Sequence, residues 1–449
     1  MTALLVAMFC SSSAAFMVVT ALGKQVYDLT GRELDLGFLG LAEFAPAAVL
    51  VLVTGSVADR FDRRRVTSVA AVGEALCGLA LAAYTHTGSD EVLPIFALVV
   101  AFGVARAFIA PSSRSLPADI VPARHLPWLV ARTSIAWQSA IIVGPVLGGS
   151  LYAVDERLPY LAMAALLLVT AISINFVRVL PDRQAEQPPG RSASAPDHAT
   201  AATAPTAGPA RAMLHDALEG LRFIRGHPIL LGAISLDLFA VLFGGAVALL
   251  PAIAENRLGV GAVGFGWLRA AGGIGAAVVT IALARKPLTR HVGRTLLAVV
   301  AAFGVFTIVL GVTHNFVVAF IAMAALSGAD AVSVFIRSTL VPLVVTPDRR
   351  GRVLAVENVF IGASNELGAF ESGLAGQLLG TGGAVVLGGA ATLAVAAGWW
   401  VFFPALRDVD RFPDGHRVED SDAGGVPVDR PQRQQPPDDI PEELAEPAS

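Results

Sequence analysis

The chain has 449 residues, 55% of them hydrophobic and only 15% charged, with a formal net charge of −4. Soluble domains average about 25% charged residues, so an ordinary soluble core is excluded, and the weak net charge gives no reason to expect a nucleic-acid partner. Two cysteines, Cys10 and Cys77, both in apolar segments, leave neither a disulfide framework nor a metal site.

Apolar runs of about 20 residues recur along the whole length, and at about 1.5 Å per residue each covers the roughly 30 Å hydrocarbon core of a bilayer. The first six predicted spans are residues 2–23, 35–58, 66–86, 92–112, 128–153 and 158–178. No basic stretch precedes the first, so it reads as a span and not as a secretion signal. Residues 181–210 are rich in Pro, Ala and Ser and read as a disordered linker. Met213, Leu214, Leu218, Leu221, Phe223 and Ile224 then recur at nearly helical spacing among charged residues, which predicts an amphipathic helix at the membrane surface. Six further spans follow at 228–252, 262–284, 293–313, 315–338, 352–379 and 382–404. Beyond Leu406 the chain is polar and reads as a disordered tail. The expected division is therefore 1–180, a six-helix bundle; 181–227, linker and amphipathic helix; 228–406, a second six-helix bundle; and 407–449, tail.

Cations are sorted by turn. Arg60, Arg63, Arg64 and Arg65, Arg114 and Arg124, Arg285, Lys286 and Arg290, and Arg349, Arg350 and Arg352 fall on one side. Only Lys24, Arg32, Arg157 and Arg257 fall on the other. The positive-inside rule then places both termini in the cytoplasm. In the first basic turn the order Gly55, Asp59, Arg60, Arg63, Arg64 resembles the loop signature of the major facilitator superfamily, with Asp62 where that pattern usually has a second glycine.

The two halves of the chain repeat at an offset of about 225–227 residues. Pro117 and Pro122 match Pro342 and Pro347, Gly37-Phe38 matches Gly264-Phe265, and Arg63 aligns with Arg290. A parallel repeat of six plus six helices is the design of that superfamily, so the expected fold is an all-α polytopic membrane protein of twelve transmembrane helices in two bundles. Small residues recur every fourth position in two corresponding spans: Ala136, Ala140, Gly144 and Gly148, then Gly368, Ser372, Gly376 and Gly380. They read either as ordinary close packing or as a sliding seam between bundles. Residues 142–149, with Gly144, Pro145, Gly148 and Gly149, resemble the antiporter signature of the family's fifth helix, which implies export. Residues 26–31, 58–66, 220–230 and 351–373 are similar to the enterobactin-exporter-like branch, which implies a proton-driven exporter of siderophores or amphipathic drugs.

Glu43, Glu74, Arg106, Asp237, Arg269, Asp330 and Glu366 lie inside predicted spans. A charge near the bilayer centre costs about 2.5–3.5 kcal/mol, so each should sit in a structural pair or against a cavity. The repeat sets Arg106 at the depth of Asp330 and Glu43 beside Arg269, and Glu366 is a further cavity candidate. Asp237 is the only charge in residues 229–253, and an isolated carboxylate there could exchange a proton, which makes it the expected coupling residue. Arg106 resembles the fourth-helix arginine that the family links to proton coupling. No phosphate loop, His-Glu-x-x-His or Gly-x-Ser-x-Gly occurs, so neither an enzyme nor a nucleotide-driven pump is expected, and no cofactor or metal is implied. The sequence thus reads as a proton-coupled exporter of a small molecule, monomeric and embedded in the bilayer of the bacterial plasma membrane. An importer or lipid-moving homologue, or a non-transporting scaffold or sensor, is the alternative.

Overall fold

A chain this apolar can satisfy its backbone in lipid only as helices or a closed barrel. The computed structural model of the protein describes residues 1–177 and 209–413, and no strand occurs among them. Of the linker expected over 181–210, residues 181–208 lie outside the described residues, as do the tail beyond 413 and the side chains of Gly55 and Asp59.

Six long helices come first: α1 (Thr2–Thr30), α2 (Glu33–Arg60), α3 (Arg63–His86), α4 (Leu93–Ile120), α5 (Leu126–Val154) and α6 (Leu158–Asn175). After α7 (Pro209–Gly226) come α8 (Pro228–Phe243), α9 (Gly261–Arg285), α10 (Val292–Val312), α11 (Phe316–Val344), α12 (Pro347–Leu379) and α13 (Thr381–Phe402). Among the described residues, nine helices are long and apolar enough to cross a membrane. The charge-bearing helices α2, α4 and α12 complete twelve spans.

Most helices outrun the predicted spans because they continue beyond the apolar run until a terminator intervenes. α1 reaches Thr30 and stops at Gly31, whose φ of 60° closes the helix with an N–H to the Tyr27 carbonyl. α4 reaches Ile120, just before Val121-Pro122, where the ring of proline disfavours helix in the preceding residue. The seventh span, expected as one helix over 228–252, is broken. α8 ends at Phe243, and the chain continues through short 3-10 and α turns and a π-turn, Ile253–Leu258. Gly244 and Gly245 make the break, and a Cβ on Gly245 would lie 2.5 Å from the Gly368 carbonyl of α12.

Helices before residue 178 share a core of Met17, Leu22, Leu81, Ile95, Phe102, Tyr160 and Met163. Those after it share two, one around Leu236, Leu296, Ile336 and Leu340 and one around Leu249, Phe265, Leu268 and Met323. Val69, Leu76, Ile172, Val278, Ile281 and Phe402 are exposed, as side chains facing lipid tails would be.

Two segments expected outside the bundles are tied to them. In α7, Ile224 is buried in the core with Leu340 and Val353, Glu219 pairs with Arg352 at 2.7 Å, and Arg349 lies over the Phe223 ring at 5.3 Å. The helix therefore docks on the start of α12. Beyond α13, residues 404–412, of which 407–412 fall in the expected tail, strap across the start of α10. Val292 and Gly293 donate to the carbonyls of Asp410 and Val409, and the His291 amide donates to the Asp410 carboxylate at 3.1 Å. These bonds fill the open donors of a helix N-terminus.

Candidate transport cavity

Two seams join the early helices to the late ones. In the first, α2 meets α12: a Cβ on Gly37 would lie 2.9 Å from the Phe370 Cα, and one on Gly373 2.8 Å from the Glu33 carbonyl. In the second, α5 meets α9: a Cβ on Gly149 would lie 2.3 Å from the Ala262 carbonyl, and one on Gly266 2.5 Å from that of Pro145. Gln138 adds a hydrogen bond to the Gly273 carbonyl at 2.8 Å. Both seams occupy the part of the helices nearer Glu33 and Val154, the far end; the opposite end carries Arg60–Arg65.

The small-residue ladders divide between these contacts. Gly144 and Gly148 pack on Ser13, Phe16 and Met17 of α1, within the early half, while the adjacent Pro145 and Gly149 face α9. One residue turns a helix by about 100°, so the seam in α5 runs beside the ladder and not along it. In α12, Gly368 packs on Val241 and Leu242 of α8, whereas Gly376 meets Glu33 of α2.

Polar groups close the far end. Lys24, 6% exposed, pairs with Asp28 on its own helix and with Glu255 of the π-turn at 3.1 Å. Asn256 donates to the Tyr27 hydroxyl at 2.5 Å, Thr381 to Glu33 at 2.8 Å, and Tyr152 to Asp28 at 3.1 Å. In the sequence Lys24 reads as a turn cation. Because α1 extends to Thr30, it is instead a buried bridge between the halves.

Beneath this closure lies a cavity of about 560 Å³. Glu43, Arg269, Asp330 and Glu366 all line it, among apolar walls that include Phe16, Leu39, Phe303 and Leu326. The expected neighbours Glu43 and Arg269 thus share one cavity, which Asp330 and Glu366 also line, but the pairing expected for Arg106 changes. Arg106 pairs with Glu43 at 3.6 Å and not with Asp330. It lines a separate cavity of about 280 Å³ among Ser11, Ser12, Thr67 and Ser113.

Asp237, expected to stand alone, does not. Arg337 of α11 donates to it at 2.6 Å and lies 4.0 Å from Glu357 of α12, and all three are buried. Ser333 is 3.4 Å from the same guanidinium. The expectation failed because span ten was ended at 338, which puts Arg337 at the water edge; α11 runs to Val344 and holds it inside.

At the basic end, Asp62 replaces the glycine of the loop pattern and caps α3. Its Oδ1 accepts from the Arg64 amide at 2.9 Å, and Arg64 reaches on to the Val177 carbonyl at 3.0 Å. The Arg64 guanidinium, hydrogen-bonded at 2.8 Å, holds the Asp62 carboxyl below its ordinary range.

A helical protein with paired bundles, a charged internal cavity and one closed end has the architecture of a secondary transporter. Residues 4–313 match the Major Facilitator Superfamily, and the chain belongs to that family. It is 26% identical over 380 residues to an uncharacterized MFS-type transporter, YfiS, of Bacillus subtilis, covering 81% of this chain and 83% of that one. It is 26% identical over 389 residues to the multidrug efflux pump Tap of Mycobacterium tuberculosis, covering 83% and 85%. Among solved structures it resembles a bacterial homologue of the human lysosomal transporter Spinster in an inward-facing, occupied conformation, with a TM-score of 0.65 at 14% identity over 90% and 94% of the chains. A D-xylose–proton symporter matches with a TM-score of 0.62 at 14% identity over 90% and 97%. The protein is therefore a multi-pass membrane transporter of small molecules.

Proposed function

We propose that the chain is a proton-coupled exporter of a siderophore or an amphipathic drug, working as a monomer in the bacterial plasma membrane with both termini cytoplasmic. The observation that carries this reading is the central cavity, which draws Glu43 from the early half and Arg269, Asp330 and Glu366 from the late half beneath a closed far end. A site shared by two rigid bodies and sealed on one side is what alternating access requires. Arginine sorting makes the basic end cytoplasmic, so the described state faces inward. The efflux relative, the antiporter-like residues Gly144, Pro145, Gly148 and Gly149, and the likeness to the enterobactin-exporter branch support export.

In this reading residues 1–180 and 228–406 are the two moving bundles. Gly55, Asp59, Arg60, Arg63 and Arg64 form the gate at the cytoplasmic end, and Asp237, bound to Arg337 at 2.6 Å, serves as a fixed ion pair of the late bundle. Inverted membrane vesicles test the whole scheme. Given an acid-inside proton gradient, vesicles bearing the protein should accumulate one of a panel of siderophores and fluorescent drugs, and lose it when a protonophore is added. Accumulation equal to that of vesicles without the protein, across the panel, would sink the proposal.

A further inference from the structure

Glu74, midway along α3, has no place in the pairs described above. It is 1% exposed and its Oε1 has no hydrogen-bond partner. Close helix crossings bring it to two other charges. Gly103 of α4 admits α2 so closely that a Cβ there would sit 2.4 Å from the Glu43 carbonyl, and a Cβ on Gly73 of α3 would meet that of Ala105 at 3.4 Å. Glu74 and Arg106 each follow one residue after the Gly73–Ala105 contact, so α2, α3 and α4 deliver Glu43, Glu74 and Arg106 to one level.

The charges that reach Glu74 are Arg106 from α4 and Glu43 from α2. Cys77 is the titratable neighbour on α3. Arg106 is engaged with Glu43 and is not fully enclosed, its side chain being 39% exposed. Glu43 lines the central cavity, whereas Arg106 lines the smaller one, which lies toward the basic end with Leu4, Thr67 and Ile174 on its wall. One guanidinium therefore stands between a carboxylate that cargo can touch and a carboxylate sealed behind it.

The geometry points to a proton-for-cation exchange at this crossing, with Glu74 as the proton site and an organic cation as the cargo. Glu74 holds a proton while Arg106 pairs with Glu43. When a cationic cargo takes Glu43, Arg106 turns to Glu74, and the proton leaves through the smaller cavity to the solvent at the basic end. One positive charge enters and one leaves, so the buried cluster never carries an unbalanced charge. The inference rests on the proposed proton-coupled export and names its cargo class: three carboxylates against one guanidinium on the cavity wall suit a cation and oppose an anionic siderophore.

The test uses the full-length protein in lipid nanodiscs, with tetraphenylphosphonium as the probe. In weakly buffered solution the wild type should release about one proton per probe bound, and Glu74→Gln none, because a release linked to binding requires a group that titrates. At saturating probe Glu74→Asp should restore the release, and the Gln variant should bind the probe at least about tenfold more weakly, because Arg106 has no carboxylate to turn to once the probe takes Glu43. Infrared difference spectra should show the carbonyl band of a protonated carboxylic acid that disappears when the probe binds to the wild type. That measurement stands even if Glu74→Gln does not fold. Full proton release by Glu74→Gln, or a wild-type band unmoved by the probe, overturns the inference. Proton-driven vesicle transport of neutral or anionic compounds but not of tetraphenylphosphonium defeats the inference alone; absence of any proton-driven transport defeats the reading beneath it.

Discussion

At the scale of single residues, the sharpest lesson is Asp237. Its burial beside Arg337 and Glu357 makes the guanidinium the element that holds two carboxylates inside the bundle. Removing one partner of a buried pair costs about 3–5 kcal/mol because the other is left uncompensated. Arg337→Gln should therefore lower the thermal unfolding midpoint in detergent sharply, and adding Asp237→Asn should recover part of the loss. An Arg337→Gln protein that melts like wild type would show that the triad carries no such strain. Which residues are charged inside spans was legible in the sequence, as was the nearness of Glu43 and Arg269, which line one cavity. Which of them pair was not, because pairing depends on helix rotation and on where a span ends. Arg337 was hidden by an end placed six residues early, and the Arg106–Glu43 bond by a comparison of depth that carried no information on facing.

At the scale of elements, caps and small residues decide the boundaries. Asp62 supplies the N-cap of α3 through the Arg64 amide. Replacing an acidic cap by alanine costs about 1 kcal/mol locally, so Asp62→Ala should speed amide exchange at Arg64 while leaving the membrane-buried part of α3 unchanged. The carboxyl is held below its ordinary value of 3.8, so its contribution is present above that pH and fades as pH falls below it. Exchange at Arg64 that is equally slow in the variant would show that the bond adds nothing to the start of the helix. Twelve apolar runs were enough to read the number of helices and their order. The broken seventh span was not readable, since its apolar run continues unbroken through Gly244 and Gly245 and only the approach of α12 makes the kink worthwhile. Nor was the seam in α5, because the four-residue spacing of small residues marks the face turned to α1 more clearly than its neighbour.

At the scale of the whole molecule, the far-end closure holds the two halves in one relation. Lys24–Glu255, Tyr27–Asn256 and Glu33–Thr381 all bridge early helices to late ones. Glu255→Gln combined with Thr381→Val should shift the population toward a state open at that end, since a modest change in the stability of one closed state moves a two-state equilibrium directly. With Cys10 and Cys77 replaced and Val247→Cys introduced on the cavity wall, a membrane-impermeant maleimide added from the far side should label that position faster in the double variant. Unchanged labelling would show that the glycine seams alone keep the end shut. The strap over α10 has a different consequence, for the order in which the protein is made. The amides of His291, Val292 and Gly293 find their acceptors in residues 409 and 410, which leave the ribosome after all the membrane-spanning helices have been made. Until then the second half must wait in the membrane with an unfinished helix start, whereas the core around Met17 and Tyr160 already has all its parts. Birth of the chain is therefore asymmetric even though its architecture is a repeat.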